Sequence, residues 1–154
     1  MTDEESKLLT EDLCGRLPYY DFMVRWNGED YNIINIGFGR VSVLKPFMSY
    51  TEGNPLIEEV RPYLRPIKSM TEDERDEWIA LFIEPVMEIE NFDGQEREEK
   101  APILFAESHR KSIRFLNEHF LDYNDLIGKG LAIEAPEDMY IRFKQQNTKD
   151  DENN

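Results

Sequence analysis

The stretch FMVRWNGEDYNIINIGFGRVSVL, residues 22–44, decides the fold class. Phe22, Val24 and Trp26 alternate with Met23 and Arg25, the period-two pattern of a strand with one covered face. Asn27-Gly28 follows, the residue pair that most readily takes the positive φ angles of a two-residue hairpin turn. Tyr31 to Ile36 reads as the returning strand, apolar on both faces at Ile33, Ile34 and Ile36. Gly37-Phe38-Gly39 turns the chain again, and Val41, Val43 and Leu44 supply a third strand. The expectation is a three-stranded antiparallel β-meander; periodicity alone leaves open whether it closes into a small SH3-like barrel.

Towards the N-terminus, residues 4–14 read as a helix, with Leu9 and Leu13 four apart and Gly15 placed to stop it. Cys14, at its end, is expected to be a small buried apolar residue rather than a nucleophile. Beyond the meander, Pro46, Pro55, Pro62 and Pro66 forbid a long helix and disfavour a central strand. The run from Arg61 to Pro66 should be extended, because a residue before proline is pushed towards β or polyproline geometry. A helix then opens at Thr71, whose spacing to Glu74 is that of a capping box. Trp78, Leu81 and Phe82 line one of its faces, the acids fall on the other, and Pro85 is expected to limit its length.

Residues 84–102 read as an acidic connection whose tip is Asn91-Phe92-Asp93-Gly94. A second amphipathic helix is expected from about Leu104 to Leu121, with Phe105, His109, Ile113, Leu116 and Phe120 on one stripe. Asp125 to Lys129 reads as one helical turn ended by glycine, and Leu131-Ala132-Ile133 as a short strand. Residues 145–154 are polar without periodicity and are expected to be a disordered tail. The predicted architecture is one α+β domain over 1–144: an N-terminal helix, the meander, and two amphipathic helices packed on the sheet.

Charge is the most unusual property of the 154-residue chain, with 33 acids against 18 bases and a net charge of −15. Residues 71–100 hold twelve acids against three bases, a net of −9, so this stretch carries most of the excess. Such a balance argues against direct nucleic-acid binding, which depends on neutralising phosphates. A single Cys can form neither an internal disulfide nor a cysteine-based zinc site, which points to a reducing compartment. No apolar run approaches the roughly 20 residues that span a bilayer, and the N-terminus is acidic, unlike a targeting peptide. A cytoplasmic location is expected.

Motifs that carry chemistry are missing. His109 and His119 are ten residues apart on one expected helix, about 80° apart around its axis, so they do not converge on one metal. His109 lies on the apolar stripe and is expected to pack there. Asp122-Tyr123-Asn124-Asp125 begins like a calcium loop, but Leu126 and Ile127 stand where a ligand and glycine are needed. Gly128-Lys129-Gly130 lacks the upstream Gly and following Ser or Thr of a phosphate loop. The paired carboxylates lie in polar segments where nothing would separate their pKa values. No catalytic, cofactor or metal site is therefore assigned.

Two segments are candidates for contact with a partner protein. Arg61, Tyr63 and Arg65 combine proline-stiffened backbone with the side chains that most often anchor interfaces; a stiff connector with Tyr63 and Leu64 packed on the core is the competing reading. Glu72, Asp73, Asp76 and Glu77 head the −9 stretch. They read as a solubilising face, as an acidic surface for a basic partner, in its sharpest form a nucleic-acid mimic, or as a sink for divalent metal ions.

Three stretches carry a resemblance: residues 11–19, residues 60–74, and residues 115–136 from Phe115-Leu116-Asn117 to Glu134-Ala135-Pro136. Together they resemble a family of small uncharacterised proteins of phages and mobile elements of gut bacteria. The resemblance spans about a third of the chain and implies a cytoplasmic accessory protein of a mobile element, with no activity or site to carry over. The acidic stretch 84–100 departs from that pattern, as does Asn124-Asp125, where a basic residue and Gly would be expected. The function expected is non-enzymatic: an acidic interaction protein that binds a host or phage protein, with no membrane association and oligomerisation open. A small metal-dependent hydrolase using surface carboxylates, or a virion or assembly component, are the alternatives.

Overall fold

The computed structural model of the chain describes residues 1–19, 21–46 and 51–140. The expected tail at 145–154, and the last residues of the expected domain, lie outside the described residues. Helix α1 (Asp3–Arg16) precedes strands β1 (Met23–Trp26), β2 (Glu29–Gly37) and β3 (Arg40–Leu44). Strand β4 (Arg61–Leu64), helices α2 (Glu72–Glu90) and α3 (Gly94–Glu118), and strand β5 (Ile133–Glu134) follow.

The meander forms as read. Val24 pairs with Tyr31 and Trp26 with Glu29 around Asn27 and Gly28, both at positive φ, and Ile36 pairs with Val41 across the second turn. The sheet is larger than the meander, however: its order is β3-β2-β1-β4-β5, antiparallel except for the parallel pair β4–β5. The proline-rich run supplies the fourth strand, Val24 facing Pro62 and Arg25 facing Arg61. A proline is tolerated there for a local reason. The Leu64 carbonyl accepts from the Ala135 N–H, so even-numbered positions of β4 aim at β5. The N–H that Pro62 lacks would point the same way, where β5, which starts opposite Tyr63, has not yet begun.

Helix α1 is started by a reciprocal cap. Glu5 N donates to Thr2 Oγ1 at 3.1 Å and Thr2 N donates to Glu5 Oε2 at 2.8 Å. Leu9, Asp12, Leu13 and Arg16 turn inward, and at 100° per residue Cys14 points away from them. Cys14 is exposed, which corrects the expectation that it packs inside. Gly15 does not stop the helix either; it remains within it, and a Cβ there would come within 2.8 Å of the Asn117 side chain. Its role is to let α1 approach α3 closely.

The main core joins α1 to the sheet through Leu9, Leu13, Phe22, Val24, Val41 and Val43 with Phe120 and Tyr140. A second, smaller cluster (Met70, Phe115, Leu116 and Leu121) sits at the root of the two long helices, with Trp78 and Leu81 against it. The expected packing of both helices on the sheet is thus corrected: α2 and α3 pack on each other as an antiparallel hairpin.

Two further expectations change at this hairpin. Pro85 does not end α2, which runs on to Glu90. Proline removes the N–H that would bond the carbonyl four residues earlier, that of Leu81. The Ser108 hydroxyl of α3 donates to this carbonyl instead, so the defect is filled by the neighbouring helix. Nor is 84–102 a long acidic loop. The expected tip turns at Asn91–Asp93 alone, and Asp93 caps α3 by accepting from Glu96 N at 2.9 Å. Over its first half the inward face of α3 carries Leu104, Ser108 and Ser112, one position before the expected stripe, whereas Ile113, Leu116 and Phe120 of that stripe pack inward as expected. Phe105 and His109 are therefore exposed rather than packed. Small side chains at Ala101, Ser108 and Ser112 suit the close seam that the Leu81 bond requires.

Candidate functional site

Tyr63 lies in the core, 2% exposed, and its hydroxyl donates to Asp30 Oδ1 at 2.6 Å. Burial, with the hydrogen bond that the hydroxyl donates to the Asp30 carboxylate, pushes this hydroxyl up to about 12. Tyr63 is thereby corrected from a surface anchor to a core residue. Arg61 spends its guanidinium on the carbonyls of Glu58 and Val60, at 2.8 and 2.9 Å. Arg65 makes a two-pronged ion pair with Glu74, both contacts at 3.0 Å. The stretch 61–65 thus acts as a sheet strand and as the anchor of α2, and the connector reading describes it.

Glu74 was expected as half of a capping box. Its N–H does donate to Thr71 Oγ1 at 3.2 Å, but its carboxylate turns to Arg65 and to His119 Nδ1, the latter 3.3 Å away. Burial alone would push this carboxyl up; the bonds from His119 and Arg65 outweigh it and hold the group down at about 2. Phe115 stacks on the His119 ring with centroids 4.1 Å apart. A second buried polar knot lies behind α1. Arg16 bonds Asp12 at 2.7 and 2.9 Å and the Leu121 carbonyl at 2.8 Å, while Asn124 donates to Asp12. Both knots join chain segments distant in sequence.

A shallow groove of about 390 Å³ is lined by Lys68, Asp122, Asp125, Glu134, Ile67 and Ile127. The Asp122 carboxylate there already accepts from the N–H groups of Leu126 and Ile127, at 2.8 and 2.9 Å. Among the described residues, no group of three or more His, Cys, Asp or Glu is placed to hold a metal ion. No helix among them is long and apolar enough to cross a membrane.

What the molecule does present is α2. All of its residues are described, and only Glu74 is buried. Around its axis it has three unlike sides. Trp78, Leu81, Pro85 and Ile89, partly buried, form the side against α3. Ile79, Phe82, Ile83, Val86 and Met87 form a second side, at successive spacings of three, one, three and one, and are between 39% and 62% exposed. Asp73, Glu77, Glu84 and Glu88 form the third, all exposed. Glu72 and Asp76 close the apolar stripe at the root end, where Arg75 is the helix's only base, and Glu90 closes it at the tip. Eight acids and one base give α2 a net charge of −7. Phe105 of α3, also exposed, stands one turn from Ser108 and so at the level of Phe82 to Val86.

Of the residues expected to meet a partner, Glu72, Asp73, Asp76 and Glu77 are exposed together on α2. The apolar stripe they border was not anticipated. Its signal was present, since 79, 82, 83, 86 and 87 obey helical periodicity, but Pro85 cut the reading of the helix short. In comparisons with protein-family models, curated proteins and solved structures, the chain matches none.

Proposed function

We propose that this chain is a non-enzymatic interaction protein that binds another protein through the outer face of its α2–α3 hairpin. The carrying observation is the exposed stripe Ile79, Phe82, Ile83, Val86 and Met87 with carboxylates along its side and at both ends. A contiguous apolar patch rimmed by polar groups is the usual mark of a protein-binding surface. Its centre supplies the apolar burial that drives association, and its rim supplies orientation and selectivity.

This arrangement favours a protein surface over a groove that normally holds nucleic acid. A mimic would need carboxylates repeated along one line. Here the middle of the face is apolar, and Glu72 and Glu96 stand at opposite ends of the hairpin, about 27 Å apart along α2. Glu96 is also held by Lys100 at 2.7 Å.

The test is affinity capture from a lysate of the source cells with the intact chain, a Phe82→Ser/Met87→Ser variant and a Glu77→Lys/Glu84→Lys variant. Circular dichroism melts establish that each variant is folded. A protein retained by the intact chain and lost with both variants supports the reading. Retention unchanged in both variants overturns it.

A further inference from the structure

The stripe on α2 has the shape of an unfilled helix–helix seam. Side chains at 79, 82, 83, 86 and 87 make two adjacent rows, as on the buried face of a bundle helix, over about 12 Å of axis. On the neighbouring side, Trp78, Leu81, Pro85 and Ile89 already form such a seam with α3. The Trp78 and Phe82 rings meet edge to face with centroids 5.0 Å apart, which links the filled seam to the open stripe.

Charge restricts what can fill it. A second copy of this chain would bring a net charge of −7 against its own equal, since a symmetric contact pairs the same patch on both partners. An anionic lipid surface would meet carboxylates where an interfacial helix carries Lys and Arg. A helix with apolar residues on one face and Lys or Arg beside them satisfies both components, as in other helix-in-groove recognition.

Building on the proposed interaction role, we infer that the α2–α3 hairpin receives one basic amphipathic helix of a partner protein as the third helix of a bundle. The apolar face of that helix lies on Phe82, Ile83, Val86 and Met87, with Phe105 at the edge. Its cations meet Glu72 and Asp76 at the root end of the stripe and Glu90 at its tip, the carboxylates that share the stripe's side of α2. These long-range attractions set encounter rate and orientation, while the apolar contacts provide most of the affinity.

The experiment titrates the full chain into three labelled peptides of about 18 residues, long enough to form a helix on binding. One has a leucine stripe flanked by Lys, one the same stripe flanked by Glu, and one the Lys flanks with the stripe changed to Ser. Fluorescence anisotropy is read at about 50 mM and about 300 mM salt. Saturable one-to-one binding of the first peptide is expected, about tenfold weaker at the higher salt and at least about tenfold weaker for the other two peptides. The same loss is expected for the first peptide with Phe82→Asp/Met87→Asp. Equal binding of the Glu-flanked peptide, or indifference to that variant, overturns the inference. So does a dimer of the free chain in light scattering that Met87→Lys dissociates, which would assign the stripe to a second copy. If no peptide binds while lysate capture still depends on the stripe, only the helix inference falls. If capture fails as well, the interaction reading falls with it.

Discussion

The two halves of this molecule treat the same kinds of side chain in opposite ways. In the sheet half, Val24, Val41 and Val43 of the sheet and Leu9 and Leu13 of α1 are wholly removed from water in one shared core. In the hairpin half, Ile79, Phe82, Ile83, Val86 and Met87 keep helical periodicity but face solvent. The difference lies in geometry rather than composition. A sheet has one broad face that a single helix can cover, whereas a two-helix hairpin fills one seam and leaves the outer sides of both helices open. Apolar residues on such an outer side contribute little to the isolated fold, which is why we place function there.

Substitutions in the two halves should therefore differ sharply. The largest effects belong to the sheet half and to the knot behind α1. Phe120→Ala, which empties the site between Phe22 and Tyr140, should cost about 3–5 kcal/mol. Asp12→Ala should cost a similar amount, about 3–5 kcal/mol, because it leaves Arg16 charged and buried. Urea melts measure both, and a loss below about 1 kcal/mol in either would break the contrast.

Next comes the anchor between the halves. Unfolded, Glu74 titrates near its ordinary 4.5, and folded at about 2. A depressed carboxyl stabilises the fold above its unfolded value, and that stabilisation disappears as the pH falls from about 4.5 towards 2. The amount is on the order of 3 kcal/mol. Stability followed against pH in this window should fall less steeply in Glu74→Gln than in the unchanged chain. Identical slopes would remove Glu74 as the acid-sensitive link.

Smaller effects belong to the seam. Ser108→Ala should destabilise by about 1–2 kcal/mol, because it leaves the Leu81 carbonyl without its donor. In a Pro85→Ala background the helix N–H is restored and the same change should cost far less, a coupling that a double-mutant cycle reads directly. Additive losses would mean that Ser108 does not compensate for the proline. Smallest of all, Phe82→Ser with Met87→Ser should shift stability by about 0.5–1 kcal/mol at most. A loss as large as that of Phe120→Ala would show that the stripe supports the fold, and the contrast between the halves would collapse.

Much of the fold was legible in residues close together in sequence. Asn27-Gly28 and the alternation around it specify the hairpin, the Thr71 cap starts α2, and Asn91-Phe92-Asp93-Gly94 marks the tip between the helices. These signals act within a few residues and need no distant partner. The errors came where a distant group overrides a local rule. Pro85 reads as a helix stop until Ser108 supplies the missing bond. Gly15 reads as a terminator until Asn117 is seen against it. Pro62 reads as a barrier to sheet formation until the short reach of β5 leaves room for it.

The candidate site divides in the same way. The acids of α2 and their exposure follow from helical spacing, and so does the existence of an apolar set at 79, 82, 83, 86 and 87. Periodicity says that such residues share a side; it cannot say whether another element covers that side. Only the packing of α2 on α3 through Trp78, Leu81 and Pro85 leaves the stripe bare, and only the long-range bonds of Tyr63 and Arg65 withdraw those two from the surface. Local backbone preference is encoded residue by residue, whereas burial belongs to pairs of surfaces that meet far apart in the chain.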